Sequence, residues 1–261
     1  MQRRTLIKCA AMTTVGTAVG SGWPLWQALA ANEGGAKWGY VGENSPEHWG
    51  DLASVYGVCQ TGQQQSPIDL HGSIPAQLPE LQIDYQEMPL KIINNSHTIQ
   101  VNAAPGSQLT IGGESFELLQ FHFHHPSEHT KSEQSYPMEA HFVHRNRKGE
   151  LAVLGVFMQI GQEHQALRSI WAQMPTKAGP EQVFRGTKIT GDQLLPADKS
   201  SYRYFGSLTT PPCSEIVRWI VFQTPIEVSK QQIEKFSQLF PVNARPVQAQ
   251  NRRVLLESQS F

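Results

Sequence analysis

The segment Leu151–Ile160 reads Leu-Ala-Val-Leu-Gly-Val-Phe-Met-Gln-Ile, ten residues without a charge. A run of that length is too short to cross a bilayer and fits a strand covered on both faces. It obliges the fold to supply a deep sheet centre with a layer on each side. Elsewhere the 21 glycines and 17 prolines cut the chain into short pieces, which favours strands over long helices. Residues 98–101, 108–111, 116–124, 139–144 and 216–223 read as further strands. Two stretches read as helices. In 163–174, Leu167, Ile170, Trp171 and Met174 recur at helical spacing and Pro175 closes the run. The stretch 231–239 follows Ser229, which with Gln232 fits a capping box. Alternation of strand, helix and strand is absent. The expected fold is mainly β, of the α+β kind: one large, mostly antiparallel central sheet with a few short peripheral helices.

The chain opens Met1-Gln2-Arg3-Arg4-Thr5-Leu6-Ile7-Lys8, followed by a mildly apolar stretch and then Ala28-Leu29-Ala30. Paired arginines, an apolar region and a small-x-small cleavage pattern resemble an export signal of the twin-arginine type. The general secretory route is the alternative. The expected organisation is a signal at 1–30, a short lead at 31–36 and a single domain at 37–261, working in the periplasm. Removing Arg3, Arg4 and Lys8 shifts the formal charge from −1 to −4, with 18 basic against 22 acidic residues. That balance gives no reason to expect nucleic acid as a partner. No membrane span is expected in the mature chain. The same cleavage removes Cys9 and leaves Cys59 and Cys213. An even pair in an exported protein suggests one disulfide, and two free buried thiols are the alternative.

Histidine carries the chemistry. Four of the ten histidines fall between positions 122 and 129. On a strand, Gln120, His122 and His124 share one face and Phe121 and Phe123 the other. Two imidazoles at i and i+2 can converge on one metal ion. A second strand offers Glu139, His141 and Val143 on a single face. Gln120 beside His122 and Glu139 beside His141 are of the type that orients metal-bound imidazoles. A lone His-x-His is as readily a polar strand face. Two strands each carrying a histidine and a hydrogen-bonding neighbour favour zinc, held by three neutral ligands with a fourth position open.

The blocks Pro46-Glu47-His48-Trp49, Gln65-Ser66-Pro67-Ile68-Asp69, Asn94-Asn95-Ser96-His97, Gln120 to Thr130, Glu139 to His144, Gly206-Ser207-Leu208-Thr209-Thr210-Pro211-Pro212-Cys213 and Asn243-Ala244-Arg245-Pro246 together resemble the α-class carbonic anhydrases of bacterial type. The resemblance runs from Trp38 to Arg252. It implies reversible hydration of CO2 to bicarbonate and a proton by zinc-hydroxide attack, with His122, His124 and His141 as Zn2+ ligands. It implies that Thr209 takes a hydrogen bond from the hydroxide and donates its own proton to Glu128. His97 is implied as the proton shuttle. Val143, Val153, Leu208, Val217 and Trp219 are implied as an apolar wall for CO2, with Thr210, Tyr40 and Asn94 on the polar side. A monomer or homodimer is expected, acting on a small-molecule substrate.

His125 has the opposite parity to His124 and should point away from the metal, while His129 reads as a structural hydrogen-bonding residue. Two other readings remain. A non-catalytic binding relative would usually have lost a zinc histidine, and this chain keeps three. A zinc-storage protein would carry its histidines in loops, whereas these fall on strands.

Overall fold

Leu151–Ile160 is a strand in the computed structural model, which describes residues 36–258, and its first eight residues are buried. The strands of the described residues are, in chain order, β1 (Ile74–Ala76), β2 (Leu81–Asp84), β3 (Met88–Asn94), β4 (Ile99–Asn102), β5 (Gln108–Ile111), β6 (Glu114–His124), β7 (Thr130–Lys131), β8 (Gln134–Ser135), β9 (Met138–Arg145), β10 (Leu151–Ile160), β11 (Gln182–Ile189), β12 (Ser201–Gly206), β13 (Val217–Phe222), β14 (Ile226–Val228) and β15 (Leu256–Ser258). Thirteen of them form one sheet along the path β1-β15-β12-β13-β10-β9-β6-β4-β3-β11, with β14 on β10, β5 on β6 and β2 on β5. β7 and β8 form a separate hairpin.

Most pairings are antiparallel, but the sheet is mixed. β10 runs parallel to β13 and to β14, and β1 runs parallel to β15. The reason lies in the central strand. Two-sided burial of β10 is what a parallel neighbour demands, because the connection must cross a covered face. The helical turns α1 (Trp49–Leu52) and α2 (Val58–Thr61) are short. The longer helices are α3 (Gln165–Ala172), two residues shorter at each end than the sequence pattern suggests, and α4 (Lys230–Ser237), which begins one residue before the expected start and ends two residues sooner. Ser229 and Gln232 form the reciprocal capping box that opens α4. No helix among the described residues is long and apolar enough to cross a membrane.

Strand parity divides the core. Phe121, Phe123, Phe142, Leu154 and Ile220 point to one face, where Trp171 of α3 and Phe236 of α4 cover them. Each such fully buried large side chain contributes about 1.5–3 kcal/mol. The opposite face carries Val153, Val217, Trp219 and Tyr204, with Val143 and Leu208 at its margin. The sheet register aligns Gln120 with Val143, His122 with His141, Val143 with Val153, and Val153 with Trp219. One residue of β6, Leu119, is extra in the pairing with β9 immediately before Gln120. Such a bulge re-aims the side chains that follow it.

Cys59 and Cys213 are joined, with a Cα–Cα distance of 5.0 Å across 154 positions. The bond ties α2 to the loop carrying Thr209 and Thr210. The expected export signal at 1–30 lies outside the described residues, as do Cys9 and residues 31–35 of the expected lead.

Candidate active site

β6 and β9 set His122, His124 and His141 side by side, because His122 pairs directly with His141 and His124 with Glu139. The ring centroids are 5.0 Å apart for His122 and His124, 5.4 Å for His122 and His141, and 4.5 Å for His124 and His141. Each ring has one nitrogen engaged from behind. His122 Nδ1 lies 2.8 Å from Gln120 Oε1, His124 Nδ1 lies 2.7 Å from the Asn243 carbonyl oxygen, and His141 Nε2 lies 2.9 Å from Glu139 Oε1. These acceptors fix the tautomers. The nitrogens left over are His122 Nε2, His124 Nε2 and His141 Nδ1, one on each ring of a group whose ligand atoms lie within 4.8 Å of one another.

Burial keeps these rings neutral. It lowers His122 well below the ordinary imidazole pKa, lowers His141, and brings His124 to about 4. His124 and His141 are each 1% exposed. His124 Nε2 and Glu128 Oε2 are buried without a hydrogen-bond partner, and they stand 3.5 Å apart. Glu128 Oε2 is 3.7 Å from His141 Nδ1. An unpartnered buried nitrogen and a buried carboxylate oxygen facing one point are costly unless a cation or a polar ligand sits between them.

A second trio, His129, Glu139 and His141, is also close enough to ligate. Its atoms are already committed. Glu139 Oε1 takes His141 Nε2 and His129 Nδ1, the latter at 2.8 Å, and its Oε2 accepts from the Glu128 and His129 amides at 2.9 Å each. Burial would raise the Glu139 carboxyl, but His129, His141 and these bonds hold it well below the usual range. His129 Nε2 meets the Tyr204 hydroxyl at 2.7 Å, which donates onward to Ser66. His129 is therefore part of a buried hydrogen-bond network, as its sequence position suggests.

Glu128 Oε1 accepts from the Arg245 amide at 2.8 Å, and the Thr209 hydroxyl donates to the same carboxylate. Burial pushes the Glu128 carboxyl up to about 7, against the pull of His141, Arg245 and Thr209. A cation among the imidazoles acts in the downward direction.

Val143, Val153, Leu208, Val217 and Trp219 belong to one apolar cluster, and the Trp219 ring stands 4.8 Å from His141. Tyr40 packs edge-on against Trp38 and Trp49. Burial and the Glu128 charge raise its phenol well above the ordinary value. Thr210 is half-buried in its loop, its carbonyl taken by the Cys213 amide. His97 is half-buried and lies against Trp38, and burial lowers its pKa. Asn94 is placed differently from its neighbours. Its side chain donates to the Pro175 carbonyl at 3.1 Å and accepts from the Ser96 amide at 3.0 Å, so both ends of the amide are engaged by backbone. Asn95, next in sequence, reaches Gln100 instead. His125 Nδ1 faces the Pro241 carbonyl, away from the three-histidine cluster.

Sequence reasoning did not single out Asn243. It receives the His124 ring on its carbonyl, and its side-chain amide donates to the His97 and Phe123 carbonyls at 3.0 Å each. The stacking of Trp38 on His97, 59 positions apart in the chain, likewise had no local signal.

Three neutral nitrogen donors on one side and hydrocarbon on the other define a site of the metal-assisted lyase or hydrolase class, open to a small, weakly hydrated substrate. Comparison with known proteins narrows that class. The family model of eukaryotic-type carbonic anhydrase matches residues 44–259. A carbonic anhydrase of Nostoc sp. is 44% identical over 263 aligned residues, 99% of this chain and 98% of the relative. The α-carbonic anhydrase of Thermovibrio ammonificans, in complex with the inhibitor sulfanilamide, superposes with a TM-score of 0.83 at 45% identity, covering 85% of this chain and all of the other. The α-carbonic anhydrase of Photobacterium profundum gives 0.80 at 43%, over 84% of this chain and all of its own. The chain belongs to the carbonic anhydrase family and is a lyase that hydrates CO2.

Proposed function

We propose that the enzyme holds one zinc ion on His122 Nε2, His124 Nε2 and His141 Nδ1 and interconverts CO2 and bicarbonate beside it, with His97 passing the proton to buffer. The observation that carries this reading is the orphaned pair His124 Nε2 and Glu128 Oε2, buried at the point where the three imidazoles meet. Three neutral imidazoles are a donor set that suits zinc and leaves a coordination position free. When bound, zinc supplies a Lewis acid that brings the pKa of water into the neutral range, a property for which carbonic anhydrase is itself the type example.

The chain's own residues do the rest. Gln120, the Asn243 carbonyl and Glu139 hold the three rings in place. Because the Thr209 hydroxyl gives its proton to Glu128, its oxygen is left to accept, which turns the lone pairs of an attacking water oxygen toward the carbon of CO2. Val143, Val153, Leu208, Val217 and Trp219 offer CO2 an apolar surface that binds a charged product poorly. His97, whose ordinary pKa is near neutrality, accepts the released proton through water and passes it on. Residues 37–261 act as one domain behind an export signal at 1–30. The Cys59–Cys213 disulfide supports work in an oxidising compartment such as the periplasm.

The test is stopped-flow CO2 hydration on purified protein with its metal content measured alongside. Activity proportional to zinc is expected, and a zinc-replete protein no faster than buffer would overturn the proposal.

A further inference from the structure

We propose that Glu181, outside the histidine cluster, is a positioning residue for the turn that carries His97. It would act by terminating a one-way chain of side-chain amides. This inference rests on the reading of His97 as the proton relay.

The chain runs across the edge of the site face. Gln100 pairs in register with His122, and Asn102 with Gln120, so all four side chains share that face. Asn95 Nδ2 donates to Gln100 Oε1 at 3.4 Å, Gln100 Nε2 donates to Asn102 Oδ1 at 2.6 Å, and Asn102 Nδ2 donates to Glu181 Oε2 at 2.6 Å. Gln100 and Asn102 are buried, whereas Glu181 is exposed.

The two ends of the chain dictate the same polarity. A carboxylate only accepts, so Asn102 must turn its NH2 to Glu181 and its oxygen to Gln100. Gln100 must then give its NH2 to Asn102 and its oxygen to Asn95. That leaves Asn95 Oδ1 facing the other way, where it accepts from the His97 amide at 3.0 Å and the Thr98 amide at 2.9 Å. Reversing any one amide would set donor against donor or acceptor against acceptor. The charge at Glu181 strengthens the last bond, and charge-assisted bonds are the stronger kind. The turn it steadies is a strained one, with Ser96 at φ 74°.

The segment around Glu181 is fixed independently against the same turn. Asn94 donates to the Pro175 carbonyl, and the Gly179 amide donates to the Asn94 carbonyl at 3.1 Å. Asn94 therefore holds the 175–181 segment in place, and Glu181 delivers the terminal acceptor from it. Neither residue needs to touch substrate. Their effect on the reaction is through the aim of His97.

The experiment compares wild type, Glu181→Ala, Glu181→Gln, His97→Ala and the Glu181→Ala/His97→Ala double variant, all loaded with zinc. Glu181→Ala should lower kcat severalfold in weak buffer while leaving kcat/KM for CO2 unchanged. Glu181→Gln, which keeps length and an acceptor oxygen, should recover most of the loss. In the His97→Ala background, Glu181→Ala should have no further effect. Equal losses in kcat and kcat/KM, or a further slowing in the double variant, would overturn the proposal. The second readout is hydrogen exchange at the His97 and Thr98 amides, which Glu181→Ala should accelerate severalfold; unchanged exchange overturns the proposal whatever the kinetics. If His97→Ala itself leaves kcat in weak buffer untouched, the relay reading falls, and the exchange rates alone decide whether Glu181 positions the turn.

Discussion

His97 lies flat on Trp38, with ring centroids 3.7 Å apart and planes 7° from parallel. The contact half-buries the imidazole, and burial disfavours its charged form, so its pKa is lowered. Replacing Trp38 with Ala removes that cover. The expected outcome is a rise of the His97 pKa toward the ordinary imidazole value, read by NMR titration of the ring protons. The proton-transfer limb of the kcat–pH profile should move in the same direction. A His97 titration identical to wild type would show that Trp38 is not what buries it.

Thr209 and Glu128 make a pair whose value is directional. Thr209→Val keeps the shape and removes both the proton given to Glu128 and the oxygen that accepts. A nucleophile that is present but badly aimed costs about 100-fold. The loss should appear in kcat/KM for CO2 with zinc content unchanged. A variant within twofold of wild type would remove Thr209 from the chemistry.

The Cys59–Cys213 bond spans 154 positions, and in the chain-entropy picture such a closure stabilises by roughly 5 kcal/mol at most. Arg245 reaches the Cys59 carbonyl at 2.8 Å and Gln65 the Cys213 carbonyl at 3.0 Å, so part of the geometry survives reduction. The Cys59→Ser/Cys213→Ser variant is expected to lose several kcal/mol in urea unfolding. A variant as stable as wild type would show that the closure entropy is offset by strain.

His144 is buried outside the cluster, its Nε2 2.6 Å from the Tyr85 hydroxyl and its Nδ1 3.1 Å from the Ala152 carbonyl. Burial lowers its pKa to about 4. The unfolded chain, with an ordinary imidazole near 6.5, takes up the proton first as pH falls. The stability tied to the neutral ring is thus complete above pH ~6.5, declines between ~6.5 and ~4, and totals about 3 kcal/mol. His144→Gln should flatten that part of the stability–pH curve relative to wild type. Parallel curves across the window would contradict the assignment.

Particular residues show what was legible in the sequence and why. His122, His124 and His141 could be read because strand parity is a covalent regularity: the same period of two that sends Phe121 and Phe123 to one face of the sheet sends the histidines to the other together. Glu139 was legible for the same reason. Cys59 and Cys213 followed from counting. Thr209 and Glu128 came only with the family resemblance, since they are 81 positions apart. Asn243 was not legible, because the group that meets His124 is a backbone carbonyl, which every residue has. Asn94 sits at the end of β3, where the turn takes its side chain to backbone partners and parity no longer predicts direction. β3 itself was missed because Pro89 and Lys91 obscure its alternation; Pro89 is tolerated where the pairing with β11 shifts register. The two-sided burial of β10 was legible in its apolar run, but which distant segments run parallel to it was not, since that depends on how those segments meet.

One metal ion on His122, His124 and His141 is expected to be what makes this chain a CO2 hydratase. The direct measurement is reconstitution: strip the enzyme with a chelator, then follow CO2 hydration by stopped flow as zinc is added back. The metal-free enzyme should be inactive, and activity should rise linearly to a break at about one equivalent of zinc, as expected for a single three-histidine site. In the same titration His141→Ala should stay inactive and retain no stoichiometric zinc. Hydration by the metal-free chain, or full activity in His141→Ala, would remove the three-histidine metal site from the reaction.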